Sequence, residues 1–188
     1  MESPTGWIDM NSTNPGRKRK PKKSQALLRQ LANVPDKLFA GVFLQQYGAL
    51  CFRYRSDRSE IEILIVTSRD SGRWVIPKGW PMKGRKPFET AATEAWEEAG
   101  VRGTAKKKPI GRYTYLKDLG NGDVVPCVVD VFQIEVMDMT GDFKERGQRA
   151  LDWVSPDEAA RRVREIELKS LLVGFEPRSR KKRDRSDL

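Results

Sequence analysis

Glu94, Glu97 and Glu98 stand three and four residues apart in a run, Pro87 to Ala99, that reads as a helix of about three turns. Side chains at those spacings share a helix face, so three carboxylates are expected to point into one small volume. Solvated like charges so spaced repel by roughly a few tenths of a kcal/mol per pair. A divalent cation reverses that sign. Hard oxygen donors in such a set suit Mg²⁺ or Mn²⁺, which keep some of their water and also take substrate phosphates. The chain contains no histidine. Imidazole metal sites and Ser-His-Asp triads are thereby excluded, and acid–base work is left to carboxylates, lysine, tyrosine or water.

The helix that positions these acids has readable ends. Pro87 suits a first helical position, where its missing N–H would be unpaired anyway, and Gly100 suits the residue just past the last turn. Phe88, Ala91, Ala92, Ala95 and Ala99 recur at helical spacing and predict an apolar stripe that packs on a core. The loop that enters the helix from Gly79 is basic: Lys78, Lys83, Arg85 and Lys86 crowd it, with Arg73 and Arg69 just upstream. Cations beside a carboxylate–metal site favour a substrate with many phosphates, because each well-made charge-assisted contact contributes about 1.5–3 kcal/mol.

Gly79, Glu94, Glu97, Glu98, Gly100 and Val101 match the frame Gly-x5-Glu-x7-Arg-Glu-U-x-Glu-Glu-x-Gly-U, with U aliphatic, so the stretch resembles the signature of the Nudix hydrolases. Arg85 stands where that signature has its first Glu, and Thr93 where it has Arg. Those two family positions form a supporting ion pair, and replacing both avoids stranding one charge. The lead-in Trp74-Val75-Ile76-Pro77-Lys78-Gly79 and the Trp153-Val154 strand before a C-terminal helix are similar to the family as well. The resemblance covers about 42 to 175. It implies an α/β/α sandwich, in which a mixed β-sheet is held between the signature helix and the C-terminal helix.

By position, the resemblance implies that Glu97 and Glu98 hold Mg²⁺ or Mn²⁺, that Glu94 holds metal or helps deprotonate water, and that the Gly79 carbonyl adds a ligand. Family members often recruit another acid from a loop outside the signature; Glu145 is the first candidate here and Asp142 the second. Arg73, Lys78, Lys83, Arg85 and Lys86 are the expected substrate-binding residues. The implied reaction is metal-assisted hydrolysis of a phosphoanhydride, and the short basic loop is most similar to enzymes acting on diphosphoinositol polyphosphates and dinucleoside polyphosphates. Two alternatives stand beside it: an RNA 5′-pyrophosphohydrolase, and a polyphosphate- or RNA-binding module whose catalysis is weakened by Arg85 and Thr93. Trp80 and Tyr115 are candidates either for stacking on a ring or for core packing.

With 188 residues the chain suits one domain, expected over 39–177, between a basic, mostly disordered arm (1–38) and a basic tail (178–188). Within the arm, Ser24 to Ala32 has the spacing of a short helix. The 36 Lys and Arg against 26 Asp and Glu give a net charge of +10, which favours polyanionic partners; the basic runs of the tails read either as solubilising or as attracting RNA or polyphosphate. Cys51 and Cys127 lie in apolar, strand-like runs, Ala49 to Arg55 and Pro126 to Val136, and read as free thiols in a reducing cytoplasm. Further strands are expected at Ile61 to Val66 and Gly111 to Leu116. Ser155 to Glu158 has the form of a capping box before the last helix. No apolar run approaches the roughly 20 residues of a membrane helix.

Overall fold

Two long strands carry the sheet: β1 (Leu44–Tyr54) and β7 (Val124–Met139) run parallel, from Leu44 opposite Cys127 to Phe52 opposite Glu135. The computed structural model describes residues 43–55, 60–119 and 124–178. Shorter strands share the outer edges of this pair. β2 (Ile61–Thr67) pairs antiparallel with the end of β1, while β4 (Lys78–Gly79) pairs with Tyr47 and Gly48 nearer its start. β3 (Trp74–Val75) and β8 (Leu151–Val154) both pair with β2. On the far side, β6 (Gly111–Asp118) and β5 (Val101–Ala105) pair antiparallel with the first and second halves of β7.

Strand side chains alternate between two faces, and here both faces are covered, which is why the central strands read as nearly continuous apolar runs. Leu50, Phe52, Ile63, Ile65, Val129 and Val131 pack beneath α2 (Pro156–Arg162) and α3 (Ile166–Val173), against Ala159, Val163, Leu168 and Leu172. Their sequence neighbours Ala49, Cys51, Leu64, Val66, Phe132 and Ile134 face the opposite way, onto α1 (Pro87–Ala99). The arrangement is the expected α/β/α sandwich. Ala91, Ala95 and Ala99 form the fully buried part of the α1 stripe, and their small side chains let the helix lie close to the sheet.

Three local readings change. The expected single strand before the signature loop is two short ones, β3 and β4, broken by Ile76 and Pro77. The C-terminal helix is two short helices, because Val163 leaves helical geometry after one and Glu165 caps the next. Ser155 Oγ does accept from Glu158 N at 3.3 Å, but the Glu158 carboxylate accepts from Arg161 and Arg162. Cys51 and Cys127 are both buried and unpaired. The Ser24–Ala32 segment and the tails, apart from Arg178, lie outside the described residues.

Candidate functional site

α1 is fixed at both ends by its own sequence. Lys86 N donates to Glu89 Oε2 at 2.9 Å, and Gly100 adopts φ 68°, so that its N–H reaches Trp96 O at 2.8 Å. That left-handed cap favours glycine, and a Cβ there would strike Thr140 O and the Phe143 ring. The close approach lets the loop 140–150 fold back onto the helix end, where Thr140 N donates to Gly100 O at 2.8 Å and Glu145 N to Glu97 O at 3.0 Å.

The folded-back loop brings Glu145 to the three helix acids. Each of the four carboxylates has a different environment. Glu94 lies directly over Gly79, where any Cβ would collide with its carboxylate, and it has neither a hydrogen bond nor an ion pair among the described residues. Glu97 Oε2 accepts from Lys144 Nζ at 2.7 Å. Glu98, 6% exposed, accepts from Lys78 N at 3.3 Å and from Arg149 Nη2 at 2.5 Å. Glu145, 8% exposed, accepts from Arg149 Nε at 2.7 Å and pairs with Arg69 Nη1 at 3.1 Å. Spacing alone predicts three acids converging on one point. Among the described residues no three acids stand ready to hold one ion, and Arg149 and Lys144 hold three of the four carboxylates.

Burial pushes Glu98 up to about 7; Arg149 and Lys78 oppose the shift, and Glu94 and Glu145 add to it. Glu94 is raised too, first by burial and then by Glu97 and Glu145. Two acids that are reluctant to ionise, one of them unpartnered over a glycine, fit a cluster that gains from a cation. Their oxygens are the hard donors that Mg²⁺ or Mn²⁺ takes. Glu94, Glu97 and Glu98, with the Gly79 carbonyl, are therefore the candidates to hold such an ion, Glu97 only once Lys144 releases it.

The basic residues separate into two kinds. Lys78 sits on β4, whose backbone also serves Glu98. Its ammonium lies 5.3 Å from the Tyr115 ring centroid and has no acid within ion-pair distance among the described residues. Burial lowers its pKa from the ordinary lysine value. Arg73 is held by Glu165 at 3.4 Å and Ser71 at 3.0 Å. Arg85 donates to Thr93 Oγ1 at 2.7 Å, while Lys83 and Lys86 are exposed on the loop. Tyr115 donates its hydroxyl to the buried Gln46 at 2.6 Å, which makes it a packed residue that turns its ring to Lys78; Trp80 is exposed. Asp142 is exposed, and only its backbone is engaged, by Thr140.

The NUDIX domain family matches residues 44–172 of the chain, which takes in every residue of this cluster. The chain belongs to the Nudix family. Among curated relatives, this Nudix protein is 29% identical over 104 residues to "Nudix hydrolase 12, mitochondrial" of Arabidopsis thaliana, covering 54% of the chain and 51% of the relative. It is 38% identical over 55 residues to "Diphosphoinositol polyphosphate phosphohydrolase 3-alpha" of Mus musculus, covering 29% and 34%. The chain thus spans about half the length, or less, of these two relatives. Among solved structures, a C. elegans Ap4A hydrolase binary complex superposes with a TM-score of 0.51 at 20% identity, over 69% of this chain and 93% of that one. At that identity the likeness shows the fold alone.

Arg149 is the residue of this Nudix site that the sequence did not announce. Its guanidinium, 7% exposed, joins Glu98 and Glu145 and also donates to Thr67 O at 2.8 Å. The one available signal was its spacing four residues after Glu145, which is uninformative within a loop.

Proposed function

We propose that this Nudix protein hydrolyses a phosphoanhydride bond in a highly phosphorylated small molecule, of the diphosphoinositol polyphosphate or dinucleoside polyphosphate class. The observation that carries the reading is the juxtaposition of opposite needs. A carboxylate cluster that includes the unpartnered Glu94 lies beside β4, whose Lys78 N–H bonds Glu98 and whose Lys78 ammonium, at the Tyr115 ring, has no acid partner among the described residues. A metal-bridged polyphosphate answers both, since its ion meets the acids and its free oxygens meet the lysine. The similarity to the mouse diphosphoinositol polyphosphate phosphohydrolase supports the same substrate class.

Glu97 and Glu98 would hold the ion, with Glu94 and the Gly79 carbonyl beside it. When bound, Mg²⁺ or Mn²⁺ neutralises charge on the bridging phosphates and lowers the pKa of water. Glu94, free of protein partners among the described residues and with a raised proton affinity, would hold the ion or help take the proton of the attacking water. The water oxygen bonds to phosphorus as the P–O bond to the bridging oxygen breaks, and the departing phosphate leaves with the bond's electron pair. Lys78 takes an oxygen of the phosphate chain and orients it. Lys83, Lys86 and Arg85 extend the positive surface for phosphates further from the scissile bond, and Arg73 stands behind them, tied to Glu165.

A second reading has its own support: Arg149 and Lys144 already neutralise three carboxylates, as expected of a polyphosphate- or RNA-binding module with weakened catalysis. A panel assay with Mg²⁺ and Mn²⁺ against inositol pyrophosphate, dinucleoside polyphosphate, ADP-ribose and triphosphorylated RNA separates the readings. Preferred turnover of the first two supports the proposal. Tight binding without turnover supports the module, and RNA as best substrate supports a 5′-pyrophosphohydrolase aided by the basic tails. The thiols agree with a cytoplasmic protein, although the Arabidopsis relative is named mitochondrial. No described helix is long and apolar enough to cross a membrane.

A further inference from the structure

Glu145 and Arg149 together suggest a division of labour inside the acidic cluster. Both Glu145 oxygens are taken, Oε2 by Arg149 at 2.7 Å and Oε1 by Arg69 at 3.1 Å. All three Arg149 nitrogens are taken as well, by Glu98, Glu145 and the Thr67 carbonyl. A guanidinium stays charged at any accessible pH, and one so buried and so fully bonded cannot swing into water without stranding Glu98 and leaving Glu145 with the exposed Arg69 alone. Lys144 is different. Its side chain is mostly exposed, so it can leave Glu97 for water at little cost.

We infer that Arg149 is a built-in counter-ion, filling as a fixed guanidinium the place between Glu98 and Glu145 that a further divalent ion would take. Glu145 is then the residue that positions Arg149 and is not itself a metal ligand. An exchangeable divalent ion would be held by Glu94, Glu98 and, once Lys144 releases it, Glu97. The inference rests on the divalent-ion reading of the cluster and departs from the assignment of Glu145 as a loop-borne ligand.

The test is Mn²⁺ titration of the metal-stripped full chain without substrate, with free Mn²⁺ followed by electron paramagnetic resonance. The wild type should take up one tight Mn²⁺. Glu145→Gln should leave its affinity within about threefold, whereas Glu94→Gln and Glu97→Gln should weaken it about tenfold or more, as loss of a ligand does. Arg149→Met should admit a second Mn²⁺, which Glu145→Gln then removes, and Arg149→Lys should stay at one. Two tight ions in the wild type, or a tenfold loss from Glu145→Gln alone, would overturn the inference even if Arg149→Met does not fold. A wild type that binds no Mn²⁺ overturns the metal reading itself, a result distinct from either.

Discussion

Arg85 Nη1 donates to Thr93 Oγ1 at 2.7 Å, so the two positions at which this chain departs from its family's signature are bonded to each other. The threonine hydroxyl in turn donates to Glu89 O at 2.9 Å, within α1. A neutral hydroxyl thus receives the cation that stands where the family has an acid, and no buried charge is stranded. We propose that the replacement is coupled.

A double-mutant cycle tests the coupling. Thr93→Arg alone puts two guanidiniums within reach of each other and should lower stability by about 0.5–1 kcal/mol, the scale of an exposed charge pair. Adding Arg85→Glu should recover most of that loss. Additive effects in thermal or urea unfolding would show that the hydrogen bond is inconsequential.

Removing the charge of a metal-holding acid should abolish turnover but affect stability unequally. Glu97→Gln and Glu98→Gln should each lower kcat about a hundredfold or more, and excess chelator should abolish activity of the wild type. Glu97 faces exposed Lys144, so its amide variant should lose less than about 1 kcal/mol. Glu98 is buried beside Arg149 with a raised proton affinity, so the stability change of Glu98→Gln should depend on pH. Full activity of Glu98→Gln, or of the wild type in chelator, would refute the assignment.

The raised proton affinity of Glu98 has a pH signature in the metal-free protein. An acid whose folded pKa is about 7, against an ordinary 4.5, binds its proton more tightly folded than unfolded. Stability from this group is therefore present below the unfolded value and declines as pH rises from about 4.5 to 7. Glu98→Gln cannot titrate at this position. The Tm of wild type minus that of Glu98→Gln should fall across that window and flatten above it; a constant difference would show that Arg149 keeps Glu98 ionised throughout.

Substrate choice should follow Lys78 and the loop. Lys78→Met removes the one cation that adjoins the acids without an acid partner among the described residues, and should raise KM for every polyphosphate about tenfold. Lys83→Ala with Lys86→Ala should chiefly narrow the advantage of inositol pyrophosphate or long dinucleoside polyphosphate over ADP-ribose. Deleting 1–38 and 179–188 should leave the ranking unchanged. The cut belongs after Arg178 because Gln133 exchanges two hydrogen bonds with its backbone. ADP-ribose as the best substrate, or a ranking lost with the tails, would refute the polyphosphate reading.

Local rules carried much of the fold. Pro87, Gly100 and the alanine spacing were enough for α1, because a helix start, a left-handed cap and an amphipathic period are set by neighbours in the chain. The apolar runs at Ile61 and Pro126 were legible as strands for the same reason. β5 was not, because Val101–Ala105 is a largely exposed, polar edge whose strand geometry comes from its pairing with β7. The Glu158 carboxylate met Arg161 and Arg162, competitors that the capping pattern does not weigh.

The sequence by itself determined which acids share a helix and which glycines let that helix begin and end near a loop. Only the tertiary structure decided what those acids meet. Arg149 is one of 36 basic residues in the chain, and nothing in its neighbours distinguishes it. It becomes part of the site because Thr140 and Glu145 bond to the end of α1 and carry the following turn over Glu98. A buried charge is selected by the partner across from it, and that pairing, 51 residues apart in sequence, exists only once the sheet has brought both ends together.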